Sequence, residues 1–202
     1  MANVNRPNGA NPVRSIHSPW PGQASLYWIP STDATYQYNP GDFVVSTAGS
    51  STGSLGFPPG IPQISKAAGN ASTTCRGIIA AIGYNPNNLT AQSAPVTKTQ
   101  DYYAYVVDDP DVIFEMTDDG LVTANLVASA VGKNCDFTVA NPTAPAVQSA
   151  TVIKSSTIAD TSTLPLKIVG IALYPGNTAG AYCRWLVKFN THELSVAATS
   201  GT

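Results

Sequence analysis

Residues 166–174 read LKIVGIALY and residues 182–190 read YCRWLVKFN, and the segment PGNTAGA at 175–181 joins these two apolar runs. In the second run every other side chain is apolar: Cys183, Trp185, Val187 and Phe189. Successive side chains of a strand point to opposite faces, so this alternation predicts a strand with one buried face. The Pro and Gly residues between the runs predict a turn. The two runs together therefore predict an antiparallel β-hairpin with a rather long loop.

The remainder of the chain repeats this pattern. Short apolar runs bounded by turn-forming residues occur at 42–47, 75–84, 102–108, 112–116 and 150–154. Val and Ile together number 29 against 10 Leu and 2 Glu, and 16 Gly and 16 Pro are spread along the 202 residues. Because β-branched residues favour strands and Gly and Pro interrupt them, this composition predicts an all-β domain of many short strands.

One segment departs from the strand pattern. Leu126, Val127 and Val131 have helical spacing, Thr123 precedes them and Gly132 follows them. Threonine is a favourable N-cap, and glycine is favourable just after a helix end. We therefore expect one short helix between Thr123 and Gly132.

The low charge of the chain limits its expected partners. Charged residues make up 11% of the sequence, the net charge is −2, and the ten Lys and Arg residues form no basic stripe. Binding to a polyanionic backbone needs a cationic surface, so we expect no direct contact with nucleic acid. The sequence has no apolar run of membrane-spanning length and no signal peptide at its start. We therefore expect cytoplasmic synthesis and no membrane partner.

Nothing in the sequence predicts catalysis. His17 and His192 lie near opposite ends of the chain, and Cys75, Cys135 and Cys183 are widely spaced without a Cys-x-x-Cys pair. Metal sites and nucleophile motifs need such groups at short, defined spacings. We therefore expect no enzyme activity, no metal and no cofactor, and we expect the three cysteines to be buried free thiols.

The first thirty residues differ from the rest, because prolines interrupt them repeatedly while Trp and Tyr add large apolar surface. Proline disfavours helices and central strands, so we expect residues 1–30 to be extended and residues 31–202 to form a single β domain. The extended segment is either a linker or an arm docked on another surface, and its aromatic residues favour the arm. The candidates for contacts with another protein are Arg6, Arg14, Trp20, Tyr27 and Trp28. For the two arginines, solvated charges on a loose terminus are the alternative.

Half of the twelve acidic residues fall within residues 108–119. Asp108, Asp109 and Asp111 form an acidic turn just before a predicted strand. Oxygen-rich loops can hold calcium, although this spacing is not that of an EF-hand. The acidic turn has three interpretations: a cation site, a solvated or interfacial turn, and a recognition site for a basic partner. The solvated or interfacial turn is the favoured one.

Several blocks of the sequence resemble a group of tailed-bacteriophage virion proteins. The blocks are ANVNRPNGANPVR, SPWPGQASLYWIPSTD, NPGDFVV, VVDDPDVIFEM, LKIVGIALYPGN and AYCRWLVKFNTHEL. The similarity extends from about residue 2 to residue 194, and it is a likeness of pattern along the chain rather than a catalytic motif. The group it resembles is that of the capsid decoration, or cement, proteins.

The resemblance implies a jelly-roll-like β-sandwich or a partly closed β-barrel on the outer surface of an icosahedral head. It implies a structural role, in which the protein stabilises contacts between neighbouring major capsid proteins after synthesis in the bacterial host cytoplasm. It also implies self-association as a dimer or trimer and hundreds of copies per head. A head–tail connector or minor capsid protein, present in far fewer copies, is the nearest structural alternative.

A host-recognition or carbohydrate-binding β-module of the virion is the alternative from another functional class. Exposed aromatic rings can stack on sugars, and Tyr36, Tyr38, Tyr102 and Tyr103 are the candidates for this role. Aromatic residues in strands are more often part of a core. The decoration role is therefore the favoured expectation.

Overall fold

The computed structural model of the chain describes residues 3–69, 72–143 and 146–195. Residues 1–2 of the predicted arm and residues 196–202 of the predicted β domain lie outside these ranges. Eleven strands form within the described ranges: β1 (Asn11–Ser15), β2 (Ser25–Ile29), β3 (Phe43–Ser50), β4 (Pro62–Lys66), β5 (Gly77–Ile82), β6 (Tyr102–Val107), β7 (Val112–Thr117), β8 (Asn134–Thr138), β9 (Val152–Ala159), β10 (Leu166–Ile171) and β11 (Arg184–Phe189).

Six strands form one antiparallel sheet in the order β1-β7-β11-β10-β8-β9. The predicted hairpin is confirmed, because β10 and β11 are antiparallel neighbours with Ile168 opposite Val187. The alternating apolar residues of the second run are all buried: Cys183, Trp185, Val187 and Phe189. The period-two pattern therefore predicted the buried face of this strand correctly.

The other five strands close into a small barrel in the order β2-β4-β3-β5-β6. The β2–β4 pair is parallel, and the other neighbouring pairs are antiparallel. Side chains from all five strands and from two loop residues fill the barrel: Tyr27, Ile29, Tyr38, Val44, Ile64, Ile79, Ala94, Tyr102, Ala104 and Val106. The barrel interior is therefore a packed apolar core.

One face of the six-stranded sheet packs against the outside of the barrel. Phe43, Ile78 and Val107 belong to barrel strands and join the apolar core of the sheet. The rings of Phe43 and Phe137 stack with their centroids 4.3 Å apart. Barrel strand β6 continues through residues 108–111 into sheet strand β7. The acidic turn is thus a covalent link between the two layers.

The all-β expectation is confirmed, but the predicted helix is reduced to one 3₁₀ turn over Ala128–Ala130 in the described part of the chain. Leu126 N donates to Thr123 O and Val131 N donates to Ala128 O, both at 3.2 Å. These bonds span three residues, as in a 3₁₀ helix, and do not continue into an α-helix. No helix among the described residues has the length and apolar character needed to cross a membrane.

The predicted N-terminal arm is corrected by the pairing of its residues. Strand β1 pairs with β7 at an edge of the sheet, and β2 pairs with β4 and β6 in the barrel. Pro12 fits within β1 because an edge strand needs fewer ladder hydrogen bonds from its N–H groups. The described residues before position 31 are therefore integral to the β fold.

Candidate interaction surface

The contact candidate Tyr27 and the acidic-turn candidate Asp108 lie together where barrel strand β6 passes into sheet strand β7. The buried Tyr27 hydroxyl donates to Asp108 Oδ2 at 2.8 Å, and Ser25 Oγ donates to Asp108 Oδ1 at 3.0 Å. Arg76 Nε donates to the Tyr27 hydroxyl oxygen at 2.6 Å. Its Nη2 lies 3.8 Å from Asp108 Oδ2 and its Nη1 lies 4.0 Å from Glu193 Oε2. We call Ser25, Tyr27, Arg76, Asp108 and Glu193 the junction cluster.

The polar groups of the junction cluster bind one another. Burial and the hydrogen bond to Asp108 raise the pKa of the Tyr27 hydroxyl to about 12. The Arg76 guanidinium lies 5.4 Å from the centroid of the Tyr27 ring. Glu193 accepts hydrogen bonds from Ser46 N at 2.8 Å and from Ser46 Oγ at 2.5 Å. Tyr27 and Asp108 therefore hold parts of the same chain together and offer little to a second protein.

Asp109 and Asp111, the other acidic candidates, are exposed. Asp109 Oδ1 accepts a hydrogen bond from Asp111 N at 2.9 Å, which closes the acidic turn. Ile16 N donates to Asp111 O at 2.9 Å. Within the described ranges, no group of three or more His, Cys, Asp or Glu side chains is placed to bind a metal ion. Asp109 and Asp111 therefore lie in an exposed turn, whereas Asp108 is bound within the junction cluster.

The two tryptophan candidates are half-buried in the fold, whereas Arg14 is exposed. Trp20 is half-buried and contacts the core of the sheet. Trp28 is a half-buried residue of β2. Arg14 is exposed on β1, close to the acidic turn, because its neighbour Ser15 pairs with Val112. Among these three candidates, Arg14 is the one that is fully available to a partner.

The tyrosines considered for stacking on sugars are mostly inside the fold. Tyr38, Tyr102 and Tyr103 are buried, and Tyr36 is half-buried. The Tyr38 hydroxyl donates to Asp33, and the Tyr103 ring lies 4.2 Å from the ring of Phe57. These contacts remove most of the surface on which the carbohydrate-binding alternative depends.

A different region, around the tip of the β10–β11 hairpin, is exposed and apolar. Leu173 is 95% exposed, Val4 is 62% exposed and Tyr174 is 49% exposed. Val4, Arg6, Tyr174 and Tyr182 line a groove of about 330 Å³, and Leu173 directly precedes Tyr174 in the chain. We call Val4, Arg6, Leu173, Tyr174 and Tyr182 the hairpin surface. Arg6 is thus one predicted contact residue that lies on an exposed apolar region.

Hydrogen bonds fix the N-terminal segment against the hairpin loop. Asn3 Nδ2 donates to Thr178 O at 2.8 Å and to Ala181 O at 3.0 Å, and Thr178 N donates to Asn3 Oδ1 at 3.2 Å. The Asn3 carboxamide therefore both donates to and accepts from backbone groups of the hairpin loop, as a paired strand would. It determines where Val4 and Arg6 stand relative to the hairpin.

An ion pair lies beneath the hairpin surface. Arg184 Nη1 donates to Glu115 Oε1 at 2.7 Å, and the Tyr174 hydroxyl donates to the other carboxylate oxygen. Glu115 is buried, and Arg184 and Tyr174 each bind one oxygen of its carboxylate. The hydrogen bond to Glu115, together with partial burial, raises the pKa of the Tyr174 hydroxyl. The Tyr174 ring is thereby held in one position while much of it remains exposed.

Tyr182 has a left-handed backbone conformation, with φ of +59°. Tyr182 N donates to Asp118 Oδ1 at 2.7 Å, and Trp185 Nε1 donates to Asp118 Oδ2 at 2.8 Å. Asp118 is buried, and burial raises the pKa of its carboxyl group. A non-glycine residue at positive φ is strained and persists when surrounding contacts enforce it. Here the buried Asp118 carboxyl group is the contact that enforces it.

The three cysteines and His192 lie in the interior of the fold rather than on the hairpin surface. Cys75, Cys135 and Cys183 are free and buried, as predicted, and burial raises the pKa of each thiol. A raised thiol pKa keeps a cysteine protonated and unreactive near neutral pH. His192 is buried and burial lowers its pKa, whereas His17 is exposed.

Comparison with known proteins gives no family for this chain: no protein-family model, no curated protein and no solved structure matches it.

Sequence reasoning missed Leu173 and Tyr174, which it assigned to the strand that begins at Leu166. Strand β10 ends at Ile171, so both residues belong to the hairpin loop. The signal that identifies them is their position directly before Pro175 and Gly176, a dipeptide that marks a turn. Apolar side chains at the tip of a loop cannot reach the core of the sheet.

Proposed function

We propose that the protein is a capsid decoration protein that binds the outer surface of a tailed-bacteriophage head and bridges neighbouring major capsid proteins. The observation that carries this proposal is the hairpin surface, where Val4, Arg6 and Tyr174 line one exposed groove and the nearly fully exposed Leu173 directly precedes Tyr174 in the chain. Tyr and Arg are enriched among the residues that dominate protein interfaces. The resemblance of the sequence blocks to decoration proteins supports the same function.

The hairpin surface offers two kinds of contact. Apolar area removed from water contributes about 25 cal/mol per Å², so a few hundred Å² per copy is worth several kcal/mol before ordering costs. Arg6 adds a charged group that pairs well with a carboxylate of the capsid protein. Because many copies bind a symmetric head, their individually modest contacts add up and help the head to resist internal pressure.

We propose self-association as a dimer or trimer, a position on the outer capsid surface of the virion, and synthesis in the bacterial host cytoplasm. We propose no direct contact with nucleic acid or membrane and no catalytic activity. The small net charge of −2 supports a protein partner rather than a polyanion.

Cosedimentation with undecorated heads of the encoding phage tests this function. We expect the purified protein to saturate the heads at hundreds of copies and to raise their resistance to heat. Absence of binding would contradict the proposal. Saturation at only a few copies per head would also contradict it and would favour a head–tail connector.

A deletion of residues 1–30 is not a usable test of the contact. It would remove β1 from the sheet and β2 from the barrel, so it would damage the fold itself. Single substitutions on the hairpin surface are the appropriate variants.

A further inference from the structure

The contacts of Lys66 form a buried arrangement that the decoration role does not use. Lys66 is the last residue of β4, and its Nζ lies 2.9 Å from Asp42 Oδ2, with the two side chains 2% and 0% exposed. Nζ also donates to Asn141 Oδ1 at 3.0 Å and to Gln37 O at 3.1 Å. One amine therefore meets a carboxylate and a carboxamide at the same time.

The Lys66–Asp42 pair is almost completely buried, and this burial bears on whether Lys66 can act as a nucleophile. Taking an ammonium and a carboxylate out of water has a large desolvation cost, and an apolar pair of similar volume is often no less stable. Asp42 Oδ2 is the carboxylate oxygen placed to accept a proton from Nζ during an attack by the amine. A neutral amine has the free electron pair that a nucleophile needs.

We propose that Lys66 and Asn141 form an intramolecular isopeptide bond, with Asp42 as the group that carries the proton. The Nζ electron pair attacks Asn141 Cγ, and the carboxamide oxygen Oδ1, which Nζ already contacts, gains charge. The Nζ–Cγ bond forms and the Cγ–Nδ2 bond breaks, while Asp42 passes a proton from Nζ to the departing nitrogen. The products are a secondary amide and ammonia, so no oxidant, reductant or further reactant is required.

The surrounding polar groups hold the Asp42 carboxyl group in place. Asn39 N donates to Asp42 Oδ2 at 2.8 Å, and Ser149 Oγ donates to Oδ1 at 2.5 Å. Thr151 Oγ1 lies 3.4 Å from the same Oδ1. Asn39, Ser149 and Thr151 are all buried. Fixed positions of this kind make a reaction between neighbouring groups effectively unimolecular.

Pro142, the residue after Asn141, prevents the usual reaction by which an asparagine side chain loses ammonia. Asparagine commonly loses ammonia when the next backbone nitrogen attacks its side chain. Pro142 follows Asn141 and has no N–H. Lys66 Nζ is an amine within hydrogen-bond distance of this carboxamide.

The bond would join the two layers of the fold. Lys66 belongs to the barrel, and Asn141 lies between sheet strands β8 and β9. A cross-link between residues far apart in sequence restricts the unfolded chain and so raises stability. This inference does not depend on the decoration role.

Intact-mass measurement of the denatured full chain, followed by peptide mapping, tests the proposal. We expect a mass that is one ammonia below the mass calculated from the sequence, and a branched pair of peptides that contains Lys66 and Asn141. The proposal is overturned by a full calculated mass that persists after long incubation of the folded protein at neutral pH. It is also overturned if ammonia loss maps to Asn8–Gly9, where a succinimide can form. Hydroxylamine cleaves a succinimide and leaves an isopeptide bond intact.

Asn141→Ala is the matched variant, because Asn141 is exposed and its substitution leaves the packing of the core unchanged. We expect this variant to have its full calculated mass and a lower melting temperature than the wild type. Asp42→Asn should abolish the ammonia loss from the folded protein. If Asp42→Asn does not fold, the peptide map of the wild type alone decides the outcome.

Discussion

The junction cluster and the hairpin surface contain the same kinds of residues but use them in opposite ways. Each has a tyrosine and an arginine, and each tyrosine hydroxyl donates to a carboxylate, Asp108 at the junction and the buried Glu115 beneath the hairpin surface. At the junction, Tyr27 is buried and donates to Asp108, while Arg76 contacts both of them. On the hairpin surface, Tyr174 is half exposed and Arg6 is exposed. Residue type alone therefore does not separate a structural contact from an interaction surface.

The difference arises from where the chain places each region. The junction cluster lies where β6 passes into β7, and the side chains of Arg76, Asp108 and Glu193 are only 20–23% exposed there. The hairpin loop extends beyond β10 and β11, so no strand covers Leu173. Polar side chains of the junction cluster therefore bind one another. Side chains of the hairpin loop, which extends beyond the sheet, stay available to a partner.

The largest expected effect is at the junction cluster. Asp108→Ala removes the acceptor of the Tyr27 and Ser25 hydrogen bonds and one partner of Arg76. We expect a loss of about 2–3 kcal/mol in the free energy of unfolding, measured by urea denaturation. Asp111→Ala, at the exposed end of the same turn, should change stability by no more than about 0.5 kcal/mol. Equal effects of the two variants would contradict the assignment of Asp108 to an internal cluster.

A somewhat smaller effect is expected beneath the hairpin surface. Arg184→Met keeps the aliphatic part of the side chain but leaves the buried Glu115 carboxylate without its ion pair. We expect a loss of about 2 kcal/mol in thermal or urea unfolding. Tyr174→Phe, which removes one hydrogen bond to the same carboxylate, should cost about 1 kcal/mol. A neutral result for Arg184→Met would mean that this ion pair does not support the hairpin.

The third effect depends on pH and sharpens the contrast at Tyr27. Its pKa in the folded protein is about 12, against an ordinary value of 10.0, so the unfolded chain releases this proton first. The stabilisation from Tyr27 is therefore complete below pH 10 and is lost as the pH rises towards 12. Tyr27→Phe should cost about 1 kcal/mol at neutral pH and should flatten the fall in stability above pH 10. Identical pH profiles for the two proteins would contradict the internal role of Tyr27.

The sequence predicted those features that a local pattern determines. The alternation in residues 183–189 gave the buried face of β11, and the Pro and Gly residues before it gave the hairpin. The acidic turn was correctly located between two strands. Each of these depends on neighbours in the sequence, so one chain is sufficient to predict it.

Features that depend on distant parts of the chain were not predictable in the same way. Strand β2 carries exposed, half-buried and buried residues, and its place in the barrel depends on pairing with β6, which is far away in sequence. Asp108 looked like a surface charge because nothing nearby in the sequence indicates Arg76. Arg6, a predicted contact candidate, is exposed, but Tyr174 and Tyr182, which line the same groove, come from the other end of the chain.

The smallest expected change in stability belongs to the hairpin surface itself. Leu173→Asp and its control Leu89→Asp both replace a leucine that is largely exposed, at 95% and 74%. Leu89 lies in the long loop between barrel strands β5 and β6 and does not line the groove at the hairpin. Both variants should unfold within about 0.5 kcal/mol of the wild type. A larger loss for either would mean that its leucine is part of the core.

Cosedimentation of these two variants with undecorated heads tests the central claim most directly. If the hairpin surface is the capsid contact, Leu89→Asp should saturate heads like the wild type, and Leu173→Asp should bind at least about tenfold more weakly, a difference of about 1.4 kcal/mol. Binding of Leu173→Asp with unchanged affinity and stoichiometry would contradict the claim that this surface holds the protein on the capsid.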